Sequence, residues 1–153
     1  MFIQGSLEAQ SRWKIGIVTS RFNHEITERL ETGCYERLIE LGVKPEQITR
    51  VRVPGAVEIP VAAQKMIDRA VADCVIALGA VIQGDTKHFD YVCNSVERGC
   101  TQVMLESKRP VIFGVLTTND EKQAEERVGG SHGHKGRDAA DTAVEMLNLL
   151  DMI

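Results

Sequence analysis

Residues 74–92 read CVIALGAVIQGDTKHFDYV, and the order of types in this stretch decides the fold. Cys74 to Val81 is apolar without alternation, the pattern of a strand covered on both faces. Gly84-Asp85-Thr86 then breaks the run. Apolar residues resume at Phe89, Val92, Cys93, Val96, Cys100, Val103 and Met104, which is helical spacing. The spacing therefore predicts a strand over 74–81, a polar turn, and a helix that begins close to His88.

Working outward, the same alternation recurs. Residues 15–19 (IGIVT) form a short β-branched run, predicted as a strand. Asn23 is placed to cap the helix that follows, with Ile26, Leu30, Cys34, Leu38 and Leu41 on one stripe and Gly42 at its end. A strand over 48–53 closes at Pro54-Gly55, and a helix over roughly 57–70 tolerates Pro60 only in its first turn. Residues 111–117 (VIFGVLT) are a fourth strand, and Asp120 with Gln123 resembles a capping box for a short helix to about 127. After a loop over 128–136, a last helix carries Ala139, Ala140, Ala143, Val144, Leu147 and Leu150. Strands alternating with helices imply βαβ units, hence an α/β fold of three layers, α/β/α, around a four-stranded parallel sheet of flavodoxin-like type. Residues 1–153 are expected to form one domain. The first thirteen fit none of the units and are expected to be either a frayed arm or an edge strand lent to a neighbouring subunit.

Composition narrows the function. At 153 residues the chain has one domain's length. Its net charge of −4 argues against general nucleic-acid binding, which wants a basic face. No apolar stretch nears the ~20 residues of a membrane span. The opening MFIQGS has neither a basic start nor a long apolar core, so a cytoplasmic location is expected. Cys34, Cys74, Cys93 and Cys100 form no CxxC pair and read as reduced core cysteines.

In parallel sheets ligands bind beyond the carboxyl ends of the strands, which directs attention to a few segments. Gly79-x4-Gly84-Asp85-Thr86 nearly spells a phosphate-binding GxxxxGK[ST] loop, but Asp85 occupies the lysine position and would repel nucleotide phosphates. Gly84-Asp85-Thr86 at a helix N-terminus still suits an anion, while Thr86 as a plain cap fits equally well. His88, in the first helical turn, is either a proton shuttle beside that anion or an ordinary surface histidine. Glu58 is either a ligand-hydroxyl acceptor or a first-turn acid favoured by the helix dipole. Phe22 is a buried staple or a flat surface for a ring. In ERVGGSHGHKGRD (126–138), Arg127 and Lys135 are suited to grip phosphate. His132 and His134 form a bare H-x-H, better read as solvated loop histidines than as metal ligands.

Together these residues resemble the lumazine synthase family. The matching stretches are Ser20-Arg21-Phe22-Asn23, VPGAVEIPVAA (53–63), IALGAVIQGDTKHFDYV (76–92), PVIFGVLTT (110–118) and AEERVGG…GHKGRDAA (124–140), running from about residue 14 to 150. The resemblance implies a transferase of riboflavin biosynthesis that condenses 5-amino-6-(D-ribitylamino)uracil with 3,4-dihydroxy-2-butanone 4-phosphate. It implies that Phe22 stacks on the pyrimidine. Ala56-Val57-Glu58 and Ala80-Val81-Ile82 would hold the aminouracil, with Glu58 on the ribityl chain. Asp85, Thr86 and Arg127 would hold phosphate, and His88 would move protons. Phe113 and Arg127 would come from the adjacent subunit, with Lys135 and Asp138 as additional contacts. No metal or organic cofactor is implied. The implied assemblies are pentamers, a 60-subunit shell and association with riboflavin synthase.

The chain departs from the family in one loop. Where the family commonly reads Gly-Thr-Lys-Ala-Gly-Asn-Lys-Gly, this chain has Gly129-Gly130-Ser131-His132-Gly133-His134-Lys135-Gly136, and the usual glutamate beyond it is Asp138. A rival function is a flavodoxin-like FMN-binding electron-transfer module, because the same strand-end phosphate site would suit FMN. A shell protein without catalysis is a third, and it would leave Phe22, Glu58, His88 and Arg127 without a purpose.

Overall fold

The structure, a computed structural model, describes all 153 residues. Its strands are β1 (Ile15–Ser20), β2 (Ile48–Val53), β3 (Cys74–Ile82) and β4 (Val111–Thr118), with the hairpin strands β5 (Val128–Gly130) and β6 (Gly133–His134). Its helices are α1 (His24–Glu40), α2 (Ile59–Asp68), α3 (His88–Ser107), α4 (Glu121–Glu125) and α5 (Lys135–Met152). The main sheet has the order β2-β1-β3-β4 and is parallel throughout, so the expected α/β/α architecture is what forms. Ile15 faces Ile48 on one side and Cys74 on the other, and Val75 faces Val111. The chain winds outward from β1 to β2 and in the opposite sense from β3 to β4. The crevice at the carboxyl ends of β1 and β3 is therefore the topological switch point where such sheets bind ligands.

Alternation along the strands builds two cores. Ile15, Ile17, Ile76, Leu78, Ile112 and Leu116 face the layer of α1 and α5, while Val18, Val75, Ala77, Val111 and Val115 face α2 and α3. This double coverage is why β3 lacks a polar face. Leu30 of α1 is wholly buried, and truncating such a leucine to alanine costs about 2–5 kcal/mol. The α1 and α5 helices approach closely at glycines: a Cβ on Gly136 would lie 2.2 Å from the Leu30 carbonyl oxygen. No helix is long and apolar enough to cross a membrane.

Several local expectations change. Asn23 does not cap α1 with its side chain; it adopts a left-handed φ of 58°, which asparagine tolerates. Its Nδ2 donates instead to the Ala80 carbonyl at 2.8 Å, tying the loop after β1 to the end of β3. The segment 57–70 splits into a 3-10 turn at Ala56–Glu58 and the helix α2, with Pro60 in the first turn of the latter. The loop 128–136 contains the β5–β6 hairpin, too short to show a period in sequence. The Asp120 cap forms, its Oδ1 accepting from Gln123 N at 2.8 Å, while the returning Gln123 side chain reaches Asn119 N rather than Asp120 N.

The N-terminal segment has no strand within the single chain; Met1 and Phe2 stand fully exposed, while residues nearer the domain are held to it. Trp13 is buried, and Gln47 Nε2 donates to the Trp13 and Gln10 carbonyls at 2.7 and 2.9 Å. Farther out, Asn148 of α5 donates to the carbonyls of Ser6 and Glu8 at 2.7 and 3.0 Å.

Candidate active site

The switch-point crevice is a cleft of about 530 Å³ lined by Phe22, Gly55 to Glu58, Ala80 to Ile82, Gly84, Thr86, His88, Phe89 and Val92. Strand ends and the turns that follow them deliver most of these side chains, and α3 supplies His88, Phe89 and Val92. Phe22 follows β1, and its loop is fixed by Arg21 N to Val53 O at 2.8 Å and Phe22 N to Pro54 O at 3.1 Å. With 72% of its surface exposed, Phe22 is not a staple but an open ring at the mouth of the cleft. Glu58 turns one carboxylate oxygen back to accept from Gly55 N at 2.8 Å, completing the 3-10 turn. The structural and ligand roles of Glu58 are thus compatible, since the carboxylate has a second oxygen and lines the cleft.

His88 is the first residue of α3, exposed and facing the cleft, and Thr86 Oγ1 accepts from its backbone N at 3.3 Å. A Cβ on Gly84 would meet nothing within 4 Å, so the turn is open on the cleft side. Asp85 is exposed in the same turn but does not line the cleft. Phe89 and Val92 do line it. Their helical spacing marks them as core, and both do pack against the core on the α2–α3 side while also lining the crevice.

The remaining residues singled out from the sequence lie elsewhere. Phe113, Arg127, Lys135 and Asp138 line a groove of about 610 Å³ along the free edge of β4, between α3 and α5. This groove and the cleft share no lining residue. Phe113 stands on the edge strand with 43% exposure. Arg127 is anchored by Nη1 donating to the Gln123 carbonyl at 2.8 Å, and Lys135 N donates to the Arg127 carbonyl at 2.9 Å. Lys135 Nζ pairs with Asp138 Oδ2 at 3.1 Å in the first turn of α5. The groove can therefore offer cations and one flat ring, and the cleft an imidazole, a carboxylate, a second ring and helix N–H groups. Thr117 and Thr118, marked in the sequence as lying at a strand's carboxyl end, line the groove with Thr142, which no spacing signal distinguishes; the Thr118 and Thr142 hydroxyls donate to the Asp120 and Asp138 carbonyls.

His134 departs from the expected solvated loop histidine. It is half-buried at the start of α5, its Nδ1 accepts from Arg137 N at 3.3 Å, and its ring lies where a Gly33 Cβ would stand, 2.2 Å from Cε1. Burial first, then the charge of Arg137, holds its pKa below the ordinary value. The cysteines offer no activated nucleophile: Cys34, Cys74 and Cys100 are buried, burial pushes the Cys100 thiol up to about 12, and at the half-buried Cys93 burial and then the charge of Asp90 also raise the thiol's pKa.

Comparison with known proteins gives a consistent result. The family model for 6,7-dimethyl-8-ribityllumazine synthase matches residues 12–151. The chain is similar to the 6,7-dimethyl-8-ribityllumazine synthase of Coxiella burnetii strain RSA 493, at 50% identity over 144 residues, covering 94% of this chain and 95% of that one. It is 51% identical over 140 residues to the synthase of the same name from Bdellovibrio bacteriovorus, covering 92% of this chain and 76% of that one. With that of Cytophaga hutchinsonii it shares 47% identity over 143 residues, covering 94% and 90%.

Proposed function

The chain belongs to the 6,7-dimethyl-8-ribityllumazine synthase family, and from that premise we propose that its cleft and its β4 groove are two halves of one active site, brought together between adjacent subunits. The reaction is that of the family: 5-amino-6-(D-ribitylamino)uracil condenses with 3,4-dihydroxy-2-butanone 4-phosphate to give 6,7-dimethyl-8-ribityllumazine, phosphate and water, the penultimate step of riboflavin biosynthesis. The observation that supports the division is the separation of the site residues into two cavities without a common residue. Neither half alone contains both a proton-transfer group on the cleft side and the arginine clamp.

In this reading Phe22 stacks on the pyrimidine, and Ala56-Val57-Glu58 with Ala80-Val81-Ile82 hold its edge and ribityl chain. Phe113 of the neighbour closes over the ring. Thr86, the N–H groups at the start of α3 and the neighbour's Arg127 bind phosphate, with Asp85 at the rim and Lys135 and Asp138 behind it. The amine of the uracil attacks the ketone, a first water leaves to form the imine, phosphate is expelled, and the ribityl-bearing nitrogen closes the ring on the remaining carbonyl with loss of a second water. Every one of these steps moves a proton, and His88 stands where the departing phosphate and the reacting carbons meet. Fixed N–H dipoles and Arg127 stabilise the phosphate as it leaves. Holding two reactants together supplies much of the remaining acceleration.

The reading carries self-association with it. The outer edges of β2 and β4 are unpaired, and Val61 and Leu105 stand exposed on α2 and α3, features that suit burial against further copies. The whole chain then acts as one domain with residues 1–13 as its arm, in cytoplasmic pentamers, with the 60-subunit shell and the complex with riboflavin synthase as larger assemblies. The FMN electron-transfer alternative finds no support among the relatives described above, which carry the synthase name. Mixing both substrates with the protein should produce the absorbance and fluorescence of the lumazine. A bound, redox-active flavin with no lumazine formed would reverse the assignment.

A further inference from the structure

We propose that His134 is a positioning residue for the phosphate half of the site, holding the first turn of α5 and the β5–β6 hairpin in one geometry through an unprotonated ring nitrogen. This role presupposes that Arg127, Lys135 and Asp138 hold the phosphate, as argued above. Three contacts converge on His134. Its Nδ1 accepts from Arg137 N, which caps α5. Its backbone pairs with Val128 across the hairpin, immediately before Lys135 N donates to the Arg127 carbonyl. Its ring fills the notch left by Gly33 on α1, and a Cβ on Gly136 would come within 3.0 Å of the same ring. Lys135 follows His134 directly, and its backbone N ties that step of the chain to the Arg127 carbonyl. Through this backbone a displaced ring would shift Lys135 with its partner Asp138, and the main chain of Arg127.

The cap exists only while Nδ1 keeps its lone pair. A proton there removes the acceptor and puts a positive charge at a helix N-terminus, where the dipole opposes it. The charged groups facing the ring are Arg137 from α5 and Arg29 from α1, whose Nη2 donates to the Val128 carbonyl. From the hairpin side, Val128 is apolar, and His132 and Glu126 pair with each other at 3.6 Å. Glu40 engages Arg137 rather than the imidazole. Burial and the two arginines therefore oppose protonation, lowering the pKa in the folded protein. A histidine whose folded pKa lies below its unfolded value contributes stability that is fully present above the unfolded pKa, about 6.5, and is lost as pH falls through the folded pKa. The phosphate half-site is expected to loosen in that acid window.

The test compares wild type, His134→Asn, His134→Ala and Arg127→Ala as full-length assemblies, measuring kcat and both KM values from pH ~8 down to ~5.5. Asparagine caps a helix without titrating. His134→Asn keeps the cap but leaves the Gly33 notch unfilled, so near pH ~7.5 its KM for the butanone phosphate should lie between those of wild type and His134→Ala, and it should rise less on acidification than that of wild type. The substrate's own phosphate titrates near pH ~6 in every variant, so the difference between the two curves isolates His134. His134→Ala should raise that KM about three- to tenfold across the range, the scale of a lost cap, with kcat and the aminouracil KM within about twofold. Superimposed acid profiles of wild type and His134→Asn would overturn the proposal, and that comparison stands even if His134→Ala fails to fold. So would a His134→Ala protein altered only in melting temperature. If Arg127→Ala raises the butanone phosphate KM while the His134 variants stay silent, the positioning role alone is lost. If Arg127→Ala leaves that KM unchanged, the phosphate assignment falls and the positioning role falls with it.

Discussion

His88 opens α3 with its side chain in the cleft and only its backbone engaged, through Thr86 Oγ1. An imidazole free of structural duty can be removed without disturbing the fold, which makes it a clean probe of proton transfer. His88→Ala should lower kcat by roughly 10- to 1,000-fold, at or below the range usual for an acid–base group, because positioning by the rest of the site remains. Unchanged kcat in an intact assembly would remove His88 from the mechanism. The residue types and the strand-end location of Phe22, Glu58, Thr86 and His88 could be read from the chain, because each follows directly on an apolar run that ends. Their alternatives could not be decided there. That Phe22 is an open ring rather than a staple depends on the loop contacts with Val53 and Pro54, and these exist only once β1 and β2 are adjacent.

Among the elements, the contact of α1 with α5 shows how packing sets the chemistry. Gly136 is the second residue of α5, and its missing Cβ lets the helix start against the Leu30 carbonyl. Gly136→Ala would force 2.2 Å onto backbone that cannot rotate away, so overpacking of about 1–3 kcal/mol is expected. At roughly 2–4 °C per kcal/mol, a thermal melt should resolve it. The control is Gly84→Ala, whose added carbon meets nothing within 4 Å and which should melt with wild type. Equal melting temperatures for all three proteins would refute the close-contact account. Strand and helix order was legible because periods of 2 and 3.6 persist over whole elements. Local contacts were not. The hairpin spans too few residues for any period, and Asn23, a good cap by type, is recruited by the distant Ala80 carbonyl instead. His134 was misread for the same reason: the notch that receives it is cut by Gly33, a hundred residues earlier in the chain, and nothing near His134 signals it.

On the scale of the whole molecule, the separation of the two cavities is the observation on which the proposed shared site rests. The cleft holds the imidazole, the β4 groove holds the arginine, and they have no residue in common. Head-to-tail association of identical copies would set one copy's groove against the next copy's cleft, and such heterologous contacts close into rings. The resemblance named both sets of residues but could not show how far apart one chain keeps them. The most direct test mixes His88→Ala chains with Arg127→Ala chains in equal amount, reassembles them and measures lumazine formation. A whole site arises where an Arg127→Ala copy supplies His88 and its neighbour, a His88→Ala copy, supplies Arg127. Random order makes this true at about one interface in four, so activity should climb toward a quarter of wild type and exceed both parents. If both residues served a site within one chain, every site would carry a lesion, and a correctly sized mixed assembly showing only the parents' average activity would contradict the shared-site account.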